Sequence, residues 1–119
     1  PFYALYNGTI WITAGAPIPP GTSTGALHNV IPVNHVATGG TLALWTDTAA
    51  AEPYYALFDG TTWTVPGAII PMGTSNGVYN DIYAAYDPST ETIVVTWADS
   101  TTQFPYYAVF DGTAWTVPG

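Results

Sequence analysis

The sequence predicts an all-β fold, and three observations carry that prediction. Hydrophobic residues make up 48% of the 119 positions and aromatics 15%, while only 7% are charged. Thr occurs nineteen times, and Tyr, Trp and Val are common, which suits half-buried pleated surfaces. Gly (12) and Pro (11) recur at short intervals and punctuate the chain into strand-length pieces. No stretch keeps a helical period long enough to matter. An acidic chain this rich in aromatics is predicted to fold rather than stay disordered.

The charge is one-sided. There are eight acids, no Lys and no Arg, and the formal net charge is −8. No side-chain cation exists to release counterions from a phosphate backbone, so nucleic acid is excluded as a partner class. Docking on anionic membranes is excluded on the same ground, and no apolar run reaches the length of a membrane span. Mechanisms that need an Arg clamp or a catalytic Lys are excluded too. With no Cys, thiol redox chemistry and Cys-ligated metals are ruled out. Ordinary usage gives about a dozen basic residues at this length. Their absence suits a protein outside the cell or on its surface, where trypsin-like proteases find no site. The alternative is compositional drift within a repeat.

The repeat is the strongest feature. Pro53-Tyr54-Tyr55-Ala56-Leu57-Phe58-Asp59-Gly60-Thr61-Thr62-Trp63-Thr64-Val65-Pro66-Gly67 recurs at Pro105 to Gly119 with changes only at Val109 and Ala114. The offset is 52 residues. Residues 1–52 match 53–104 without a gap at eighteen of 52 positions, including Gly21-Thr22-Ser23 with Gly73-Thr74-Ser75 and Trp45 and Asp47 with Trp97 and Asp99.

Each unit reads as four antiparallel strands. Val78–Tyr86 is the first, followed by a turn at Asp87-Pro88-Ser89-Thr90 with Pro where type I turns favour it. Thr92–Ala98 is the second and Tyr106–Phe110 the third. Asp111-Gly112 is a two-residue hairpin signal, and Thr113–Val117 is the fourth strand. Pro118-Gly119 ends it; the copy at Pro66-Gly67 leads into a loop over 68–77. Four strands per unit of this length is the signature of β-propeller blades. The chain then holds about two and a half: a half-blade at 1–15 and blades at 26–67 and 78–119. Two and a half blades do not close a ring, so a longer propeller or an assembly of chains is expected to supply the rest. Trp11, Trp63, Trp115, Trp45 and Trp97 are expected to pack between blades.

The Phe58-Asp59-Gly60-Thr61-Thr62-Trp63 hairpin resembles the Asp-box of sialidase-type propellers, without the leading Ser and with Gly directly after Asp. The whole unit is similar to sialidase-like repeats of bacterial surface or secreted proteins, and more weakly to fucose-binding propeller lectins. The resemblance implies propeller blades and a lectin-like or hydrolase ancestry. It does not bring activity, because those families hold their ligands with arginines that this sequence lacks.

Candidate site residues follow from strand direction. The first strand begins where the second ends, so Asn80, Asp81 and Asp99 share one rim, with Tyr106 entering the next strand. His28, Asn29 and Asp47 are the equivalent set one repeat earlier. Amide and carboxylate acceptors beside an aromatic face suit a neutral sugar; a protein ligand is the other partner class. The alternative is that the aspartates cap loop amides. A Ser-His-Asp set at Ser23, His28 and Asp47 lacks a nucleophile elbow and an oxyanion motif. No cofactor is expected. Calcium is a weak candidate on the acidic rim, without the Asp-x-Asp-x-Asp-Gly loop. His28 and His35 are expected at the surface or rim. Asn7-Gly8-Thr9 is an N-glycosylation sequon on a hairpin tip. The function expected is a non-catalytic extracellular repeat module that presents a carbohydrate- or protein-binding face. The alternatives are a structural repeat that assembles between chains and a fragment of an inactive sialidase-type hydrolase.

Overall fold

The structure, a computed structural model, describes residues 1–24, 30–47, 49–77 and 81–116. Ten strands and no helix occur among the described residues. β1 (Phe2–Tyr6) and β2 (Trp11–Pro17) form sheet I. β3 (Ile31–His35), β4 (Gly40–Asp47), β5 (Glu52–Phe58) and β6 (Trp63–Ile69) form sheet II in that order. β7 (Ile82–Asp87), β8 (Thr92–Ala98), β9 (Pro105–Phe110) and β10 (Trp115–Thr116) form sheet III, again in chain order. Every pairing is antiparallel. No helix among the described residues is long and apolar enough to cross a membrane.

The three sheets stack face to face with sheet II in the middle, as the pleat requires. Alternate residues of a strand point to opposite faces. On β4, Leu42 and Leu44 join Ile82, Ile93, Val95, Trp97, Ala108 and Phe110 in the core toward sheet III. Their neighbours Ala43 and Trp45 join Ile18, Tyr54 and Ala56, with Tyr3 packed against them, in the core toward sheet I. β4 is therefore buried on both faces, which explains its apolar run GTLALWT.

The 52-residue offset reappears as a repeated interface. Tyr3 of sheet I lies 6.0 Å from Phe58 and 5.2 Å from Trp63 of sheet II, ring centre to ring centre. Tyr55 of sheet II lies 6.3 Å from Phe110 and 5.1 Å from Trp115 of sheet III. These are the same three positions one unit apart. Sheets I and II thus each present a front face, carrying Tyr3 or Tyr55, to the back face of the next, while the matching Tyr107 on sheet III is exposed.

Several boundaries differ from the sequence expectation. The Asp-Gly hairpin is not a two-residue turn. Phe58 pairs with Trp63, and Phe110 with Trp115, across four-residue loops. The Asp59 carboxylate accepts from the amides of Thr61 and Thr62, both at 2.8 Å, and Asp111 does the same for Thr113 and Ala114. The side chain stands in for a strand partner, so Thr113 and Ala114 belong to the turn and the last strand starts at Trp115. β6 runs through Pro66-Gly67 to Ile69 rather than ending there, with a register shift between Tyr55 and Leu57 absorbing the proline. Gly67 is needed at that point: a Cβ there would lie 2.1 Å from the Pro20 carbonyl oxygen of the crossing segment. The first-strand residues 78–80 lie outside the described set.

Equivalent positions on buried and open faces make a direct test. Leu44→Ala, in the core between sheets II and III, is expected to cost about 2–5 kcal/mol of unfolding free energy. Thr96→Ala, the same repeat position on the exposed front of sheet III, should stay within about 0.5 kcal/mol of wild type. Urea titration of the two variants checks this.

Candidate functional site

The rim residues divide sharply. Asp47 and Asp99, at the ends of β4 and β8, are 1% and 0% exposed. Asp47 accepts from the Thr24 amide at 2.6 Å, the Ser23 hydroxyl at 3.0 Å, and the Ala49 and Ala50 amides at 2.9 and 3.1 Å. Asp99 accepts from the Ser75 hydroxyl at 2.9 Å, the Thr101 and Thr102 amides at 2.7 Å, and the Asn76 amide. Each carboxylate ties the loop that follows its own strand to the loop that precedes its sheet. That is the capping arrangement, reached in both copies.

A tryptophan extends each cluster. Trp45 Nε1 donates to Ser23 Oγ at 3.0 Å, and Ser23 Oγ donates to Asp47. Trp97 Nε1 donates to Ser75 Oγ at 3.1 Å, and Ser75 Oγ donates to Asp99. Tryptophan and aspartate two residues apart point to the same face of the strand, and a serine from the preceding loop bridges them. The sequence shows all six residues as repeat matches, but their convergence needed the third dimension. Of the Ser23, His28 and Asp47 set, Ser23 is buried and its hydroxyl donates a hydrogen bond directly to Asp47, while His28 lies outside the described residues.

The remaining candidates lie apart. Asp81 is exposed just before β7, at the end of sheet III that also holds Asp99. Tyr106 is half-buried and packs against the core between sheets II and III, so its ring is not an open platform at the rim. His28, Asn29 and Asn80 fall outside the described residues. Asn7 is exposed in the β1–β2 turn, where its Oδ1 accepts from the amides of Thr9 and Ile10.

His35 departs from the expectation of a surface or rim position. It is 1% exposed and wedged between sheets II and III. Its Nε2 donates to the Glu91 carbonyl at 2.6 Å, its Nδ1 faces Thr38 Oγ1 at 2.9 Å, and its ring meets Tyr86 and Phe110 edge-on. The local sequence Asn34-His35-Val36 carries no sign of this, because Tyr86, Glu91 and Phe110 lie 51 to 75 residues away. Among the described residues no three His, Cys, Asp or Glu side chains converge as metal ligands. Comparison with protein-family models, with known proteins and with solved structures gives no match.

In the Asp47 carboxyl, burial pushes the pKa up, but hydrogen bonds from Ala50, Thr24 and Ser23 outweigh it and the net shift is strongly downward. For Asp99 the amides of Thr102 and Asn76 lead, against burial, with the same result. The unfolded chain binds protons at the ordinary value of 3.8, above the folded values. The stability these groups contribute is therefore complete above pH 4 or so, and is lost as pH falls from there toward the folded pKa values. Thermal melts should show a flat plateau near neutrality and a falling acid limb that begins at roughly pH 4. Separately, Ser75→Ala strands the Trp97 Nε1–H and removes one Asp99 donor. It should cost about 1–3 kcal/mol in denaturant titration, and Ser89→Ala in the exposed β7–β8 turn much less.

Proposed function

We propose that this chain is a non-catalytic structural repeat of β-propeller-blade type, whose work is assembly with further units of its own kind outside the cell. The supporting observation is the chemistry of the two outward faces of the stack. On the back of sheet I, Phe2, Tyr6 and Trp11 are 71%, 55% and 65% exposed. Their copies Tyr54, Phe58 and Trp63, and Tyr106, Phe110 and Trp115, are packed between sheets. On the front of sheet III, Tyr83 and Tyr107 are exposed. Their copies Ile31 and Tyr55 pack against sheet III. One end thus carries a back face with no front, and the other a front face with no back.

Such a pair of faces is heterologous: it joins the head of one copy to the tail of a second copy. Tyr107 of one chain would meet Tyr6 and Trp11 of the next as Tyr55 meets Phe110 and Trp115 within the chain. A sugar site built on the rim has less support, because Asp47 and Asp99 are buried and their oxygens are engaged. Catalysis has less still, with Ser23 hydrogen-bonded to Asp47 and no Lys or Arg in the sequence. The abundance of Thr and the absence of tryptic sites agree with an extracellular setting, and Asn7 stands ready as a glycosylation point there.

The test uses two surface variants, Trp11→Glu on the tail and Tyr107→Glu on the head. By light scattering at physiological ionic strength, wild type should gain mass above 12.6 kDa as concentration rises, and each variant alone should stay monomeric. An equimolar mixture should form dimers and stop there, because one good head meets one good tail. Wild type that stays monomeric at every concentration sinks the reading, as does association that survives either single substitution.

A further inference from the structure

Sheet I has two strands where sheets II and III have four. β5 and β9 are paired on both edges, whereas among the described residues β1 pairs only with β2. Beside the bare edge of β1 lies a groove of about 380 Å³. Its floor is the back of sheet II: Val30 and Pro32 beside β3 and on it, and Thr41 and Ala43 on β4. Ala4 and Leu5 of β1 form one wall.

The chain contains the filled version of this groove. One unit later the floor positions are Ile82, Ala84, Ile93 and Val95, and they lie under the β3–β4 hairpin. Ile31 and Val33 from β3, and Leu42 and Leu44 from β4, supply the covering side chains. Two glycines report the same difference independently. A Cβ on Gly112 would lie 2.7 Å from His35 Cε1 and 2.9 Å from Thr38 Cγ2, in the turn of that hairpin. A Cβ on Gly60, the equivalent residue, would meet nothing within 4 Å. The space above Gly60 has the position of a hairpin turn and holds none.

We propose that the groove between β1 and the back of β3–β4 is a docking site for a two-stranded β-hairpin patterned like β3–β4, which adds its second strand to the free edge of β1. Backbone hydrogen bonds along β1 would give it affinity, and alternate apolar side chains pointing into the groove would give it specificity. Within residues 1–119 both hairpins of this pattern are engaged, β4 with β5 and β8 with β9, so the occupant is a further copy of the pattern. In charge, too, the site suits such a partner. Residues 30–46 carry no Asp, Glu, Lys or Arg, so a hairpin of that kind meets the acidic chain without repulsion.

This inference rests on the blade reading, which makes sheet I the second half of a four-stranded unit. The probe is a synthetic peptide of residues 30–46 with lysines at both ends for solubility. The control carries Leu42→Ser and Leu44→Ser with the same lysines. Calorimetry should give saturable 1:1 binding of the first peptide to the full 119-residue chain. The control should bind at least about tenfold more weakly. Hydrogen exchange should slow across residues 2–6 on binding. Thr41→Glu, which puts a carboxylate in the groove floor and is checked for native far-UV circular dichroism, should weaken the peptide by a similar factor. No saturable binding, equal binding of both peptides, or binding without protection of β1 overturns the proposal. Head-to-tail association through Trp11 and Tyr107 uses other faces. Self-association without peptide binding therefore defeats the groove alone, and peptide binding without self-association defeats the assembly reading alone.

Discussion

The double burial of β4 is the constraint on which the rest of the structure depends. Leu42 and Leu44 face one neighbour while Ala43 and Trp45 face the other, so sheet II cannot exist without a sheet on each side. That requirement is not particular to β4. The repeat gives every unit the same two faces, one led by a tyrosine on the third strand and one led by aromatics at the end of that strand and the start of the fourth. Stacking satisfies the faces inside the chain and exposes one of each kind at its ends. Apolar burial of this sort is non-directional, yet the repeated Tyr–Phe–Trp contact, with ring centres matching to within a few tenths of an ångström between the two interfaces, fixes how each sheet meets the next.

The second constraint comes from the missing cations. A buried carboxylate must be compensated, and this chain has no Lys or Arg with which to do it. Asp47 and Asp99 are compensated by backbone amides and serine hydroxyls instead. The solution also does mechanical work. Loop segments 23–24 and 75–76 are held to the ends of β4 and β8 by the same carboxylates that hold the 49–50 and 101–102 turns. A polar network whose members are all engaged specifies one arrangement of loops. The exposed turns use a lighter version of the device: Asn7, Asp59 and Asp111 each cap two amides of the β1–β2, β5–β6 and β9–β10 connections.

Much of this was legible in the sequence because the repeat is gapless. The offset of 52 can be read from Pro53–Gly67 and its copy, and the four-strand order and the packing of Trp45, Trp63, Trp97 and Trp115 between sheets from the wider repeat; Trp11, expected to pack in the same way, is instead exposed. Loop geometry could not be read so well. Asp-Gly favours a two-residue turn only when the strands close directly on it; here the Asp side chain captures the amides two and three residues on and widens the loop to four. Strand direction places Asp99 along the strand but says nothing of its depth, since the lid over it comes from Ser75 and Asn76, more than twenty residues away. His35 was misjudged for the same reason. Its unit has no matching histidine, so the repeat gave no hint, and its contacts with Tyr86, Glu91 and Phe110 cross between sheets.

The two ends of the stack are not equal, and the substitutions between copies say which one is the more demanding. At the front of sheet III, Leu42 has become Val94, Leu44 has become Thr96, Val33 has become Ala85 and Ile31 has become Tyr83. Each change shortens the apolar side chain or adds a hydroxyl, and that softens a face which meets water whenever it lacks a partner. The back of sheet I shows no such softening. Phe2, Ala4, Tyr6 and Trp11 are as apolar as their buried copies Tyr54, Ala56, Phe58 and Trp63, and only the Tyr6 hydroxyl is added relative to Phe58. Exposed aromatic area of that kind, beside a strand edge with unpaired backbone groups, is an association hazard unless something covers it. The chemistry of these residues therefore places the stronger need for a neighbour at sheet I, where an apolar face and an open strand edge lie together.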